Sequence, residues 1–285
     1  MSETLQDLST PALVRAIEAN LFEAWASFGH WPQAELYDGP DMMRFITGVP
    51  FPWCNGVFRA HLAPQETDSK IEATLTHFKA QNLPLIWWTG PSTRPADLGE
   101  RLQAHGLRHA EDEPGMAVDL LALTEERPTP SGLTIEPVGE VETLRQWVRP
   151  FTLGFEFPDF AASAFFDCYV SLGFSHHVPW RHYIGWLKGE AVATSSLFLG
   201  AGVAGIYNVA AVPEVRRQGI GLAVTLAPLR AARDLGYRVG ILHSSQMGFN
   251  VYRRLGFEEY CKVSQYVWPG DTEHGEGKGK GAEQK

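Results

Sequence analysis

Residues 216–221 read Arg-Arg-Gln-Gly-Ile-Gly and come two residues after the apolar run Val209-Ala210-Ala211-Val212 and Pro213. Two glycines around one isoleucine let the backbone approach a ligand closely and adopt positive φ. The pattern from Gly221 to Gly236 reads as a helix, so the loop holds a helix start with free N–H groups and a positive dipole end. That combination suits an anion, best a phosphate or pyrophosphate. The loop lacks the lysine and Ser/Thr of a P-loop, and the third glycine of the dinucleotide fingerprint. By itself the spacing also fits a tight strand-to-helix turn.

The elements that must hold this loop read as a mixed pattern around one central sheet. Residues 132–138 form a strand, and 140–151 a helix that stops near Pro150. A second helix covers 161–174, and residues 181–212 read as three strands turning at "KGE" and "GAG". After the loop and its helix, in which Pro228 should kink or loosen one turn, come a strand over 237–245, a short helix over 249–256 and a last strand over 258–268.

The first half repeats this plan at a near-constant offset. Pro64 lies 149 residues before Pro213, and Gly106 lies 150 before Gly256. Charges, prolines, Ser and Gly crowd together in residues 124–132, as expected of a linker. The expected division is therefore a first domain over 1–123, a linker over 124–131, a second domain over 132–268 and a disordered tail over 269–285.

The chain has 285 residues with 24 basic and 33 acidic side chains, a formal charge of −9, which argues against nucleic acid as the main partner. Three dispersed cysteines, Cys54, Cys168 and Cys261, show neither disulfide nor metal-ligand spacing, so no metal is expected and a reduced, cytoplasmic setting is the simplest reading. The N-terminal stretch has no basic and apolar signal pattern. The uncharged run 191–213 is better read as two strands than as a membrane span.

Context sharpens the loop. The segment "VAAVP" followed by Arg216, Gly219 and Gly221 resembles the acetyl-coenzyme A signature of the GNAT acetyltransferase superfamily, and "VYRRLGF" at 251–257 resembles that family's Tyr-x-x-Leu-Gly-Phe element. The resemblance covers roughly residues 132–268. It implies an α+β fold of two tandem GNAT-like domains, each a mixed central sheet flanked by helices, with a degenerate first half. It implies that backbone groups of Ala210, Ala211 and Val212 pair with the pantetheine arm, and that amides of Arg217, Gln218, Gly219, Ile220, Gly221 and Leu222 hold the pyrophosphate. It also implies that Tyr252 sits beside the thioester sulfur. From Pro213 to Lys262 seven arginines and one lysine face four carboxylates, which suits an anionic co-substrate. Ser245 stands where many members of the family carry an asparagine, for which Asn250 could compensate.

The implied activity is transfer of an acetyl group from acetyl-CoA to the amine of a small molecule. The alternatives are a protein acetyltransferase, acting on an N-terminus or a lysine, and a non-catalytic coenzyme A sensor or scaffold. Tyr252 can protonate the leaving thiolate. For the base, Glu156, His176, His177 and water stay open. Phe155, Phe157, Trp180, Tyr183 and Tyr207 are candidates for the wall of the acceptor site. The first half has "QETDSKI" after Pro64, with no glycine and with acids where an anion would sit, and Leu102 at the position offset from Tyr252. It should bind no coenzyme A and should buttress the second domain or complete the acceptor cleft. Neither the acceptor nor the oligomeric state is legible in the sequence.

Overall fold

The structure is a computed structural model and describes residues 3–123, 129–175 and 177–270. The first half contains helix α1 (Thr10–Ala26), strands β1 (Glu35–Asp38), β2 (Met43–Ile46) and β3 (Asn55–Phe58), helix α2 (Thr67–Ala80), strand β4 (Leu85–Thr89), helix α3 (Leu98–Ala104) and strand β5 (Arg108–Asp119). The second half contains β6 (Leu133–Pro137), α4 (Val141–Phe155), α5 (Asp159–Leu172), β7 (Trp180–Leu187), β8 (Glu190–Gly200), β9 (Val203–Ala211), α6 (Ile220–Asp234), β10 (Val239–His243), α7 (Gln246–Arg253) and β11 (Glu258–Trp268). This is the expected α+β class, a mixed sheet flanked by helices.

The two halves do not hold one sheet each. All eleven strands join in the order β1-β2-β3-β4-β11-β5-β10-β9-β8-β7-β6. The last strand of each half has crossed into the other. Strand β5 lies antiparallel to β10, with Gly115 opposite His243. Strand β11 lies antiparallel to β4, with Ser264 opposite Thr89. The two exchanged strands are partners, from Glu258 opposite Ala117 to Val267 opposite Arg108. They are also counterparts in the repeat, since β5 starts at Arg108 and β11 at Glu258.

Alternation along the strands sorts the helices. On one face, α1, α4 and α5 close over Phe45, Trp88, Ile184 and Phe198. On the other, α6 and α7 cover Tyr183, Leu197 and Leu242, while α2 and α3 cover Val57, Leu85 and Trp87. Helix α1 also crosses the boundary between halves. Buried Asn20 donates to Gly200 O at 2.9 Å, and Trp180 Nε1 donates to Ser27 Oγ at 2.8 Å.

Two prolines lie inside their helices. Helix α4 does not stop at Pro150; it runs through that buried residue to Phe155 and ends at Glu156, in the left-handed region with φ 58°. Helix α6 runs unbroken through Pro228. A proline there cannot donate to Val224 O, and Ser195 Oγ supplies the bond instead, at 2.6 Å. The uncharged run 191–213 forms strands, and among the described residues no helix is long and apolar enough to cross a membrane. Of the linker and the tail, residues 124–128 and 271–285 lie outside the described residues.

Strand exchange has a direct consequence for dissection. A fragment of residues 132–268 would leave β10 with a bare edge and β11 without either neighbour, exposing a pairing edge. We expect that fragment to be insoluble or without a cooperative melt, whereas the two halves co-expressed as separate chains should co-purify as one folded complex. Circular dichroism and a thermal melt of each preparation check this.

Candidate active site

The site begins where two parallel strands part. Strands β9 and β10 pair from Gly240 opposite Ala204 to Leu242 opposite Ile206, and no further. Strand β9 continues to Ala211, held only by β8. A bulge sits at the parting point, because the register shifts between Thr194 and Ser196. Asn208 takes φ 53° there. Its Nδ2 donates to Tyr169 Oη at 2.8 Å and Ser196 Oγ at 3.0 Å, and its carbonyl accepts from Thr194 Oγ1 at 2.8 Å. Asparagine tolerates the left-handed region, and these three bonds fix it.

Beyond the bulge, Val212 N–H donates to Val192 O at 2.9 Å. In an antiparallel ladder the next residue, Ala211, then faces its N–H and C=O away from β8, while Ala210 faces inward again. So Ala210 and Val212 bond to β8, and Ala211 meets the open edge; Val209 lines the cavity below it. The Ala211 carbonyl already accepts from Arg216 Nε at 3.3 Å, and Arg216 also donates to Gly154 O at 3.3 Å. Arg216 therefore ties the loop to β9 and α4.

The loop enters α6 through Gly219 at φ 81°, with Arg217 also at positive φ, 62°. The first bond of the helix runs from Ala223 N–H to Gly219 O. The N–H groups of Ile220, Gly221 and Leu222 thus have no intrahelical acceptor and face the helix's N-terminal side. A Cβ on Gly221 would meet nothing within 4 Å. The donor set and the open approach fit a pyrophosphate. Gly221→Glu should therefore leave the melt within a few degrees of the parent. It should cost acetyl-CoA roughly 100-fold or more in affinity, since each charge-assisted hydrogen bond is worth ~1.5–3 kcal/mol. Calorimetry with acetyl-CoA checks it. Gly219 is the poorer test, because any side chain there is strained.

The parted strands open into a cavity of about 150 Å³. Asn208, Val209, Ser245 and Tyr252 line its strand end. The far end is aromatic and built by both halves. Helix α1 supplies Leu21, Ala24 and Trp25, the turn after it Phe28, and the rest of the first half adds Trp53 and Trp88. The second half adds Phe151, Phe155, Phe157, Phe165, Tyr169 and Trp180. Of the five aromatic candidates, Phe155, Phe157, Trp180 and Tyr207 line this cavity; Tyr183 packs on the opposite face of the sheet, under α6.

The polar groups of the cavity are few. Tyr252 lies on α7 with its ring against Gly248, whose Cβ would come within 2.6 Å of that ring. Burial pushes its hydroxyl well above 10, so it stays protonated through the working pH range. His243 ends β10, and neither of its ring nitrogens has a partner. Burial pulls its pKa down to about 4, so it is neutral at pH 7. Tyr207 Oη donates to Asn20 Oδ1 at 2.8 Å.

The carboxylate of the cavity is Glu113, on the exchanged strand β5. Burial first, and then the Glu111 charge two residues away, push its pKa up to about 7. The groups facing it are Gln265 on β11, His243 on β10, Tyr207 on β9 and Tyr252 on α7. None of these carries a positive charge at pH 7.

The bases weighed from sequence fall elsewhere. Glu156 is the exposed residue after α4, and His177 is exposed in the loop after α5. His176 lies outside the described residues. Ser245 caps α7, accepting from Gly248 N–H at 3.3 Å, while Asn250 is exposed. Glu113 escaped sequence reading because "EDE" looks like a solvated charge run; alternation that puts Glu111 and Glu113 on one face was the available signal.

In the first half the corresponding slot is filled. The offset of 149 between Pro64 and Pro213 places Ala60–Leu62 opposite Val209–Ala211. There Arg94 N–H donates to Ala60 O at 3.0 Å, and Leu62 N–H donates to Arg94 O at 2.9 Å. The edge that is open at Ala211 is thus occupied by the chain itself. At the start of α2, Asp68 pairs with Arg101 at 2.8 Å where an anion would sit.

Residues 141–257 match the model of the acetyltransferase (GNAT) family. This stretch is a GNAT domain. No match is found among curated proteins. Among solved structures the chain is similar to a GCN5-related N-acetyltransferase from Kribbella flavida, with TM-score 0.69 and 18% identity over 93% of this chain and 97% of that one. It is similar to one from Sphaerobacter thermophilus, with TM-score 0.58 and 17% identity over 93% and 94%. A tandem GNAT protein from the clavulanic acid biosynthesis pathway gives TM-score 0.55 and 14% identity over 95% and 98%. These likenesses show the fold, and they extend the GNAT architecture of residues 141–257 to a tandem arrangement of the whole chain.

Proposed function

We propose that the protein is an acetyl-CoA-dependent N-acetyltransferase acting on the amine of a small molecule. One observation carries the reading: strand β9 parts from β10 beside a cavity lined by Val209, Tyr252 and Glu113, then runs through the open edge at Ala211 to the loop whose amides start α6. The enclosure by α1, α4 and α5 favours a small acceptor over a protein chain. Three free cysteines accord with a reduced, cytoplasmic setting.

The amides of Ile220, Gly221 and Leu222 would hold the pyrophosphate, and Ala211 and Val209 the pantetheine arm, placing the thioester at the bulge. Glu113 takes one proton from the bound ammonium. The freed nitrogen bonds to the acetyl carbon as the carbon–sulfur bond breaks. Tyr252 gives its proton to the departing thiolate and is reprotonated from solvent, to which the second amine proton and that on Glu113 also pass. His243, neutral with a bare N–H, can donate a hydrogen bond but is a poor proton acceptor, because its conjugate acid has a pKa of only about 4. A carboxylate near 7 is stronger by roughly 10²- to 10³-fold than one at the ordinary 4.5.

The test is thiol release from acetyl-CoA across a panel of amines, with mass spectrometry of the products. Binding of acetyl-CoA with no release for any amine would overturn the reading. Calorimetry should find one coenzyme A site per chain, since Arg94 fills the second slot; two sites would show that this segment moves aside.

A further inference from the structure

We infer that the acceptor is a primary amine carried on a short arm by a single aromatic ring, bound with its ammonium on Glu113 and its ring in the chamber beneath α1. The inference rests on the transferase reading above and goes further by naming the acceptor's chemistry. It follows from the contrast between the two ends of one cavity.

The far end offers almost nothing polar. Trp25 lies with its ring centre 5.0 Å from that of Trp88 and 6.0 Å from that of Trp53. Phe157 stacks on Phe165 at 5.8 Å and meets Trp53 at 6.2 Å. Near this end Trp180 Nε1 is held on Ser27 and Tyr169 Oη on Asn208, and the indoles of Trp25, Trp53 and Trp88 add N–H donors but no acceptor. A hydroxyl-rich or polycationic acceptor would bury its polar groups here without partners, at roughly tenfold or more in affinity per group. An aromatic ring instead gains edge and face contacts, worth roughly 2- to 10-fold each beyond its area.

The strand end is the opposite. Glu113 has no cation facing it, and both ring nitrogens of His243 lack partners. A cation with N–H donors satisfies the carboxylate. The acetamide formed has lost that charge, so the product leaves an anion it no longer complements.

Size sets the limit of one ring. The whole cavity, about 150 Å³, matches in size an apolar protein cavity that binds one benzene molecule, so its far end takes no more than one ring. Ala24 is the smallest side chain of the wall and is 2% exposed. Enlarging it fills the chamber from the helix side, away from the loop and from Tyr252.

The experiment uses the full chain saturated with coenzyme A, titrated by calorimetry with 2-phenylethylamine, tryptamine, spermidine and glucosamine. Thiol release from acetyl-CoA is measured with the same four amines. The inference expects 2-phenylethylamine to bind at least about tenfold tighter than each of the others. Ala24→Leu should weaken it at least tenfold and leave acetyl-CoA affinity within threefold. Trp53→Ala, at a partly exposed wall position, should narrow the gap between tryptamine and 2-phenylethylamine to less than threefold, which keeps the test open if Ala24→Leu fails to fold. Spermidine or glucosamine binding and reacting as well as the aromatic amine would overturn the inference and leave the transferase standing. Tight 2-phenylethylamine binding without thiol release from any amine would uphold the chamber and overturn the transferase. No binding of 2-phenylethylamine, or unchanged affinities in both variants, would overturn the inference.

Discussion

Tyr252→Phe should lower kcat at least about 100-fold and leave acetyl-CoA affinity within about threefold of the parent. The substitution removes one hydroxyl and keeps the ring that packs against Gly248 and, edge-on at 6.0 Å, against Phe257. Packing therefore changes little. If the hydroxyl protonates the departing thiolate, the loss belongs to the transition state rather than to binding. General acid assistance is worth roughly 10²- to 10⁴-fold. Burial also changes what the pH profile should look like. A free tyrosine would give an alkaline limb near 10, but burial pushes this one well above that value. No alkaline limb from Tyr252 should appear in the working range of the parent enzyme. Steady-state kinetics with a thermal melt of the variant check these expectations. A parental kcat would make Tyr252 a packing residue, and a collapse of affinity at intact kcat would make it a binding residue.

Glu113→Gln should cost at least about 100-fold in kcat/KM at pH 7.5, and should also change the shape of the pH profile. Glu113 accepts a proton only when ionised, so kcat/KM of the parent should rise through about pH 7 and level off. In the variant only amine that has already lost its proton can react, so the rise should continue towards the amine's own pKa. The same substitution should stabilise the fold. The folded carboxyl titrates near 7 against 4.5 when unfolded, so the folded state binds more protons in between. Stability of the parent is then greatest below about pH 4.5 and falls as pH rises through 7. A shift of that size bounds the effect at ~3 kcal/mol, less because Glu113 is partly exposed to solvent. The variant should melt a few degrees higher than the parent at pH 8, with the difference gone at pH 4. Melts at the two pH values check it. An unchanged activity profile with the stability gain intact would reduce Glu113 to a buried acid with no part in proton transfer.

What could be read from sequence follows the range of the interactions. The loop was legible because its geometry is local: Gly219 needs positive φ, and the helix starts beside it. Tyr252 was legible because its spacing from the loop is spanned by one helix and one strand. The bulge at Asn208 was not, because it depends on Tyr169, Ser196 and Thr194, brought in from α5 and β8. Trp25 and Phe28 carry no local signal of a site, and only the placing of α1 and the turn after it across both halves makes them walls of the cavity. Pro150 read as a stop and Pro228 as a kink or a loosened turn, and in the second case the answering hydroxyl, Ser195, sits in another strand. Strand exchange was the largest omission. Strands β5 and β11 have the same alternation whichever half they join, so nothing in either segment says which neighbour it takes.

That exchange also orders the birth of the protein. On the ribosome β4 and β5 emerge early, yet the strand that belongs between them, residues 258–268, is among the last described segments to be made. Until it arrives, the first half cannot close its sheet, and β5, which carries Glu113, has no partner on that side. Pairings so distant along the chain make a fold slow to form. During the wait both bare edges invite pairing with other chains. Yield of active protein in a cell should therefore depend more on elongation rate and on holding chaperones than on the final stability of the fold.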